Sequence, residues 1–600
     1  MTRWKVHMLE PDSRAVLTEQ LRPPTGFRLN QAVATTFTLD LISALSIPLA
    51  FASHRLRESD SPIAILDAVR RESDRIDVFA QAGQISAPSN ALDLVAFLEP
   101  MIHPVTAPRP GALFHPKVWV LEYTRGAERS YRLISASRNL TADRSWDLIV
   151  RLDGEPSDTA IETNEPLARF VGALPAMGVM RMPQSRIDRI EQLARRIRTV
   201  EWERPEHARR VTFVPLGVPG VESPHLDELF DGKRHLIISP FLSDEGLNAI
   251  IPKRSRSTIV VSRKESIERL QPAILKRLTT YTLDESVSDD EVGIDRLLVG
   301  LHAKAYVLDR REGSHLIVGS ANATGAAFAG NVEMLIDFLG PDTKLGVGAI
   351  VGEDTALHQM LVPFETEGGV EAPANEVDDH RLEREVRRLS TVKLRATVRD
   401  RDDAYALEID RADDLEPASA FEAKIQLLTR RGNTYPLPPV ASGVPLEIDG
   451  LQLTDITPFF VLSVTDQRGE TKQSVLVAEL IGDIDGRRDA IVAQQISTRE
   501  AFMQLLALLL AFDVGAGDVA IDGLAGLFGG WGADGGGLFE PLVRAVGSAH
   551  GGLADAKRII DQLVASAAPG ADGQPILPEG FTELWDSVWH AHLKVTEGAR

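Results

Sequence analysis

Leu301-His-Ala-Lys-Ala-Tyr-Val-Leu-Asp309 is followed by Gly319-Ser-Ala-Asn322, and far upstream Phe114-His-Pro-Lys-Val-Trp-Val-Leu-Glu122 is followed by Ala136-Ser-Arg-Asn139. A histidine-any-lysine triplet therefore occurs twice, each time with a serine and an asparagine at hairpin distance. Both triplets run into alternating apolar segments, the pattern of β-strands. Side chains of a strand repeat every two residues, so His302 shares a face with Lys304, and His115 with Lys117. A polar break (Arg310 to Gly313; Thr124 to Ser130) and a returning apolar run follow each strand. A hairpin centred on each break is expected to set Lys304 opposite Ser320 and His302 opposite Asn322. The same folding sets Lys117 opposite Ser137 and His115 opposite Asn139. The Lys-to-Ser separation is 16 residues in one copy and 20 in the other. That even difference preserves the face, whereas an odd insertion would flip one arm.

Two histidines at one site suit the splitting of a phosphodiester without a metal. One attacks phosphorus and the other protonates the leaving oxygen. The double pattern resembles the phospholipase D superfamily over about residues 25 to 345. The resemblance implies an α/β fold of two pseudo-symmetric sandwich lobes with one site at their seam, and a covalent phosphohistidine intermediate. It implies His115 and His302 as nucleophile and general acid, leaning slightly towards His115 as nucleophile where the sequence itself does not decide, and Lys117 and Lys304 as clamps on the phosphate oxygens. It implies that Asn139, Asn322, Ser137 and Ser320 orient the histidines or hydrogen-bond phosphate, and it carries Asp309 along as the motif's acid. Glu333 in Asn331-Val-Glu, and Asp147 in Ser145-Trp-Asp, are the expected carboxylates that fix a histidine tautomer. The first copy departs from the family pattern, with Glu122 for aspartate, Ala136 for glycine, Asp147 for glutamate, and Pro116 inside the triplet.

Outward from the motifs, residues 25–155 and 211–340 repeat an order of strands and helices, an internal duplication. The expected division is lobe 1 over 1–155, a helical interlobe segment over 156–210 and lobe 2 over 211–364. An acidic linker over 365–388 follows, then a β-sandwich-like domain over 389–482 and a helical region over 483–600 with a glycine-rich loop. Composition bounds the rest: 600 residues, net charge −21, 44% apolar, no cysteine. These numbers point to several domains, no disulfide framework and a cytoplasmic setting. The N-terminus lacks an apolar signal core, and the longest apolar stretches, Leu41 to Ala52 and Met503 to Phe512, are too short to span a bilayer. No phosphate-binding loop, dinucleotide fingerprint or zinc-ligand cluster is present, so no cofactor or metal is expected; His590 and His592 read as surface histidines.

The net acidity opposes a generally polyanion-binding body. Locally, Lys253, Arg254, Arg256, Arg263 and Lys264 form a basic stretch without an acid, and Arg181 to Arg210 holds nine arginines against five acids. Both are candidates for tracking a nucleic-acid backbone. The leading expectation is a nuclease acting on DNA. The layout also looks like large bacterial phospholipase D-like proteins encoded beside helicases in anti-phage defence systems. That likeness implies a helicase or translocase partner, with the C-terminal modules docking it or a second copy of the chain. The alternatives are a phospholipase or phosphatidyl transferase, and a catalytically silent DNA-binding or scaffold subunit.

Overall fold

The computed structural model describes residues 17–52, 69–88, 93–137, 139–140, 147–284, 301–402, 404–413, 415–438 and 445–495. Beyond these it describes 499, 502, 506, 542, 546, 552–566, 575–577 and 581–597. The glycine-rich loop, most of the Met503–Phe512 run and the N-terminal heptapeptide lie outside the described residues.

The first sheet is built from β1 (Arg28–Thr36), β3 (Ile76–Gln81), β5 (Ile102–Val105), β6 (Val118–Arg125), β7 (Glu128–Ala136), β8 (Ile149–Pro156) and β9 (Val200–Trp202). Their order is β5-β3-β1-β6-β7-β8-β9, and a small parallel pair, β2 (Leu39–Asp40) and β4 (Ile85–Ser86), lies beside it. The second sheet uses β10 (Arg210–Leu216), β11 (Arg234–Ile238), β12 (Ser257–Val261), β13 (Thr279–Leu283), β14 (Ala305–Asp309), β15 (Ser314–Gly319), β16 (Glu333–Gly340) and β17 (Leu361–Pro363). Read from its β17 edge the order is β17-β13-β12-β11-β14-β15-β16-β10. Apart from the extra β17, the two sheets match strand for strand. In each, three parallel strands are followed by antiparallel ones that carry the motif hairpin.

Alternation along the strands explains how the sheets pack. Val118 and Val120 of β6, and Ala305 and Val307 of β14, enter one shared cluster with helices Glu165–Ala173 and Gln184–Ile197. Their neighbours Trp119 and Leu121, and Tyr306 and Leu308, point to two separate clusters on the outer faces. Buried on both faces, these strands need continuous apolar runs, which the sequence supplies.

Three expectations need correction. The hairpins are in register one residue away from the expected pairing: Ala305 opposes Val318 and Val118 opposes Ser135. Lys304 therefore stands against Gly319, and Lys117 against Ala136. The tight turns have an even number of residues, Gly126-Ala127 in one and 310–313 in the other, so each hairpin centre falls between two residues. The stretch 365–388 is not a linker: helix Ala374–Leu389 occupies most of it, and Leu382, Val386 and Leu389 are buried at helical spacing. Finally, segment 156–210 is helical over Glu165–Ala173 and Gln184–Ile197 but also holds a strand, β9, that pairs with β8.

The C-terminal strands are β18 (Leu394–Arg401), β19 (Ala404–Arg411), β20 (Phe421–Leu427), β21 (Tyr435–Pro436), β22 (Leu446–Leu451), β23 (Phe459–Asp466), β24 (Thr471–Val477) and β25 (Glu479–Ile481). They form two four-stranded sheets, β22-β19-β18-β25 and β21-β20-β23-β24, that share one core with helix Ala374–Leu389. Leu428, Phe459, Val461 and Val475 lie instead in the outer cluster of the first sheet, so this domain is packed onto lobe 1. No described helix is long and apolar enough to cross a membrane.

Candidate active site

The two motif strands leave their sheets at the seam between the lobes. Phe114 and Val332 make a parallel bridge there: His115 N donates to Val332 O at 2.9 Å, and Val332 N to Leu113 O at 2.8 Å. This places Glu333, the first residue of β16, beside a histidine from the other lobe. Glu333 Oε2 is 2.9 Å from His115 Nδ1 and also accepts the Ser320 hydroxyl, while Asn331 Nδ2 donates to Oε1 at 3.2 Å. Lys304 crosses the same seam, its Nζ 3.5 Å from Ser137 O, and is anchored at 2.6 Å to His302 O. Lys117 Nζ donates to His115 O at 3.0 Å. Both lysines, both serines and Glu333 are buried, whereas His115, His302, Asn139 and Asn322 are half-buried.

The two halves repeat one scaffold. Ser137 Oγ donates to Asp147 and accepts Leu148 N at 2.8 Å; Ser320 Oγ donates to Glu333 and accepts Met334 N at 3.0 Å. Each serine thus orients a carboxylate. A second pair of hydroxyls ends the central strands: Thr36 Oγ1 accepts Leu140 N at 3.2 Å, and Ser239 Oγ accepts Ala323 N at 3.0 Å. They pin the residue after each asparagine. Their sequence signal is a hydroxyl residue at the end of β1 and just past β11, which becomes readable only once the duplication is aligned. Asn331, Phe37, whose ring meets His115 edge-on at 5.1 Å, and Gln81, which accepts Phe114 N at 2.7 Å, are further site residues beyond the motif. The amide oxygens of Asn139 and Asn322 are buried without a hydrogen-bond donor in both halves. Such orphaned acceptors are costly and concentrate where a ligand binds.

Electrostatics divide the roles. Burial pushes the His115 pKa below its ordinary value; Glu333 opposes this, and Lys117 and Lys304 reinforce it. Burial disfavours the Glu333 anion, yet His115, Lys117 and the Ser320 hydroxyl together hold its pKa below the usual carboxylate value. An ionised Glu333 requires Nδ1–H on His115, which leaves Nε2 with a free lone pair. Burial, then repulsion from Lys304, puts Lys117 well below its ordinary pKa, and burial brings Lys304 down to about 8 despite Asp147 and Glu333. Two buried ammonium groups facing each other form a site for an anion.

Not every expected residue arrives here. Asp309 sits five residues beyond Lys304 at the far end of β14, roughly 16 Å along the strand. There it accepts Arg234 Nε at 2.6 Å, Ser314 Oγ at 2.8 Å and Val347 N at 3.0 Å. Glu122 is its counterpart, buried under Asn30, Arg129, Tyr131 and Arg196. Both are scaffold acids. The basic stretch is divided by β12: Arg263 and Lys264 lie at the site end, and Lys253, Arg254 and Arg256 at the opposite end, where Arg254 pairs with Asp231 at 2.6 Å. Part of the interlobe arginine run is spent on internal ion pairs, while Arg181, Arg195, Arg204, Arg209 and Arg210 are exposed. Arg186 and Arg189 bind Asp77 at 2.6 and 2.8 Å, Arg196 binds Glu122 at 2.8 Å, and Arg198 binds Glu165 at 2.6 Å. Among the described residues no group of three or more His, Asp or Glu side chains is placed to hold a metal ion.

No protein-family model matches the chain, and no curated protein matches its sequence. Among solved structures it is similar to yeast tyrosyl-DNA phosphodiesterase, at 13% identity and TM-score 0.36, over 54% of this chain and 85% of that one. It is also similar to phosphatidylserine synthase of Haemophilus influenzae, at 11% identity and TM-score 0.35, over 61% and 88%. A third is Nuc, a phospholipase D family member of Salmonella typhimurium, at 13% identity and TM-score 0.19, over 26% and 99%.

Proposed function

We propose that this chain is a metal-independent phosphodiesterase of phospholipase D type, a nuclease that cleaves DNA through a phosphohistidine. The observation that carries the reading is the pair of histidine-lysine motifs, one from each duplicated sheet, joined at one seam by the His115–Glu333 contact. His115 is the nucleophile, because its Nδ1 is committed to Glu333 and its pKa is depressed. Nε2 attacks phosphorus and the P–O bond to the leaving group breaks, with the proton of cationic His302 passing to the departing oxygen. Neutral His302 then takes a proton from water, whose oxygen attacks phosphorus; the P–N bond breaks and its electron pair returns to His115. Lys117 and Lys304 hold the equatorial oxygens throughout, where negative charge builds up. Asn139 and Asn322 contribute amides at the phosphate, and Asp147 is the first-half counterpart of Glu333. Within this reading the biological role is defence against foreign DNA with a helicase or translocase partner, an extension that rests on the sequence resemblance alone.

The test is cleavage of labelled single- and double-stranded DNA in EDTA. His115→Ala and His302→Ala are each expected to lower turnover by about a thousandfold, a barrier increase of ~4 kcal/mol. A strict Mg²⁺ requirement, or activity surviving in both variants, overturns the two-histidine mechanism. Hydrolysis of phosphatidylcholine with every DNA left uncut moves the same chemistry to lipids.

A further inference from the structure

Phe241 carries the only exposed phenylalanine, tyrosine or tryptophan ring among the described residues, with 47% of its surface accessible. It lies in the loop between β11 and helix Asp244–Ile250, on the lobe 2 side of the site. The loop is fixed: Ser239 Oγ donates to Phe241 O at 2.8 Å, and Ser266 Oγ to Pro240 O at 2.9 Å. Against the ring lies the Arg263 guanidinium, its centre 5.0 Å from the ring centroid. Arg263 in turn donates Nε and Nη2 to Leu301 O, at 3.1 and 2.9 Å, and Leu301 directly precedes His302. Ring, guanidinium and motif histidine therefore form one connected and preorganised unit.

A large apolar ring held in water beside a charged site invites an occupant. A flat π-system stacks on Phe241, and Arg263 behind the ring strengthens such a platform through cation–π contact. An acyl chain gains nothing from a guanidinium and would desolvate it. The exposed Lys264 next in sequence adds positive charge suited to a phosphate backbone. In a duplex the bases are stacked on one another and present no free face, so the partner is an unpaired base. We propose that Phe241, backed by Arg263, is a stacking platform for an unpaired nucleobase next to the phosphate that is cleaved, making single-stranded nucleic acid the substrate. This rests on the nuclease reading above and names its substrate class.

The experiment measures binding of a fluorescent oligothymidylate, and of an abasic strand of equal length. The protein is the full-length His302→Ala chain, either with Phe241 intact or with Phe241→Ala or Phe241→Trp added. Phe241→Ala is expected to weaken oligothymidylate binding about tenfold, and Phe241→Trp to preserve it. The abasic strand is expected to bind the Phe241 and Phe241→Ala proteins alike, since the ring then has no base to meet. Equal oligothymidylate affinity in both proteins, or the same loss with the abasic strand, overturns the platform. So does a Phe241→Ala defect confined to binding of anionic phospholipid vesicles, which assigns the ring to lipid. Cleavage by wild type measured alongside separates the two claims. DNA cleavage with a Phe241-independent KM overturns only the platform, whereas wild type that neither binds nor cuts any oligonucleotide overturns the nuclease reading itself.

Discussion

In the proposed mechanism the chemistry turns on Lys304 and Lys117, because burial and repulsion from Lys304 lower the pKa of Lys117, and burial lowers that of Lys304. A phosphodiester anion between them restores both charges. Binding of inorganic phosphate at pH 8 to 9 should therefore take up protons, seen as a buffer-dependent enthalpy in titration calorimetry. The pH dependence of kcat/KM follows the same residues. Lys304, lowered to about 8, loses its charge as pH rises through that value, so kcat/KM, which also needs the proton on His302 and the charge on Lys117, should have fallen by then. On the acid side His115 must be neutral to attack; its depressed pKa keeps it so down to below the ordinary histidine value of 6.5, and the acid limb should lie under that value. Glu333→Gln keeps the shape but removes the charge that fixes the His115 tautomer and supports the cationic intermediate. Turnover should drop by roughly a hundredfold or more, with little change in KM. The histidines, lysines, serines and Glu333 are all legible as residues, because two copies of one pattern do not easily arise by accident. What sequence does not assign is which carboxylate serves which histidine, since Glu333 reaches His115 across the lobes and not within its own.

Elements decide whether those residues meet. Gly319 ends β15 against β16, and a methyl group there would overlap the Met334 carbonyl oxygen. Gly319→Ala is expected to destabilise the protein by about 2 kcal/mol and to displace Ser320 and Glu333, measurable as a lower midpoint in urea together with lost activity. The first half carries Ala136 at the equivalent place, so its strand end accommodates the methyl group that the second sheet excludes. Helix Gln184–Ile197 shows how charge can mislead. Its arginines suggest a nucleic-acid track in the sequence, yet Arg186 is buried on Asp77 and Arg196 is spent on Glu122. Arg186→Met should cost about 3 kcal/mol in stability and leave DNA affinity unchanged, because it leaves a buried carboxylate under-paired. Strand positions are legible from apolar periodicity. The hairpin register lies one residue from the expected one because turn length, not strand composition, sets it. The acidic helix Ala374–Leu389 has the composition of a linker because three buried apolar residues hide among charged ones.

At the scale of the molecule, one core runs through both sheets, so the site belongs to neither lobe alone. The C-terminal β-domain is fastened to lobe 1. Ser474 Oγ pairs with the Ile85 backbone, and Thr457 Oγ1 donates to Glu99 Oε1 at 2.7 Å. Its order along the chain is legible, but the face it buries is not, since apolar alternation does not say which neighbour covers it. The proposed mechanism stands on a covalent intermediate on His115, assembled by contacts between the lobes. Its most direct test is an ester of p-nitrophenol, whose leaving group needs no proton. His302→Ala protein in EDTA should release about one equivalent of p-nitrophenolate and then stall, with an acid-labile phosphoryl adduct on the peptide containing His115 in intact-peptide mass spectrometry. An adduct on the His302 peptide in His115→Ala protein, or turnover with no adduct and a strict need for Mg²⁺, would contradict the account.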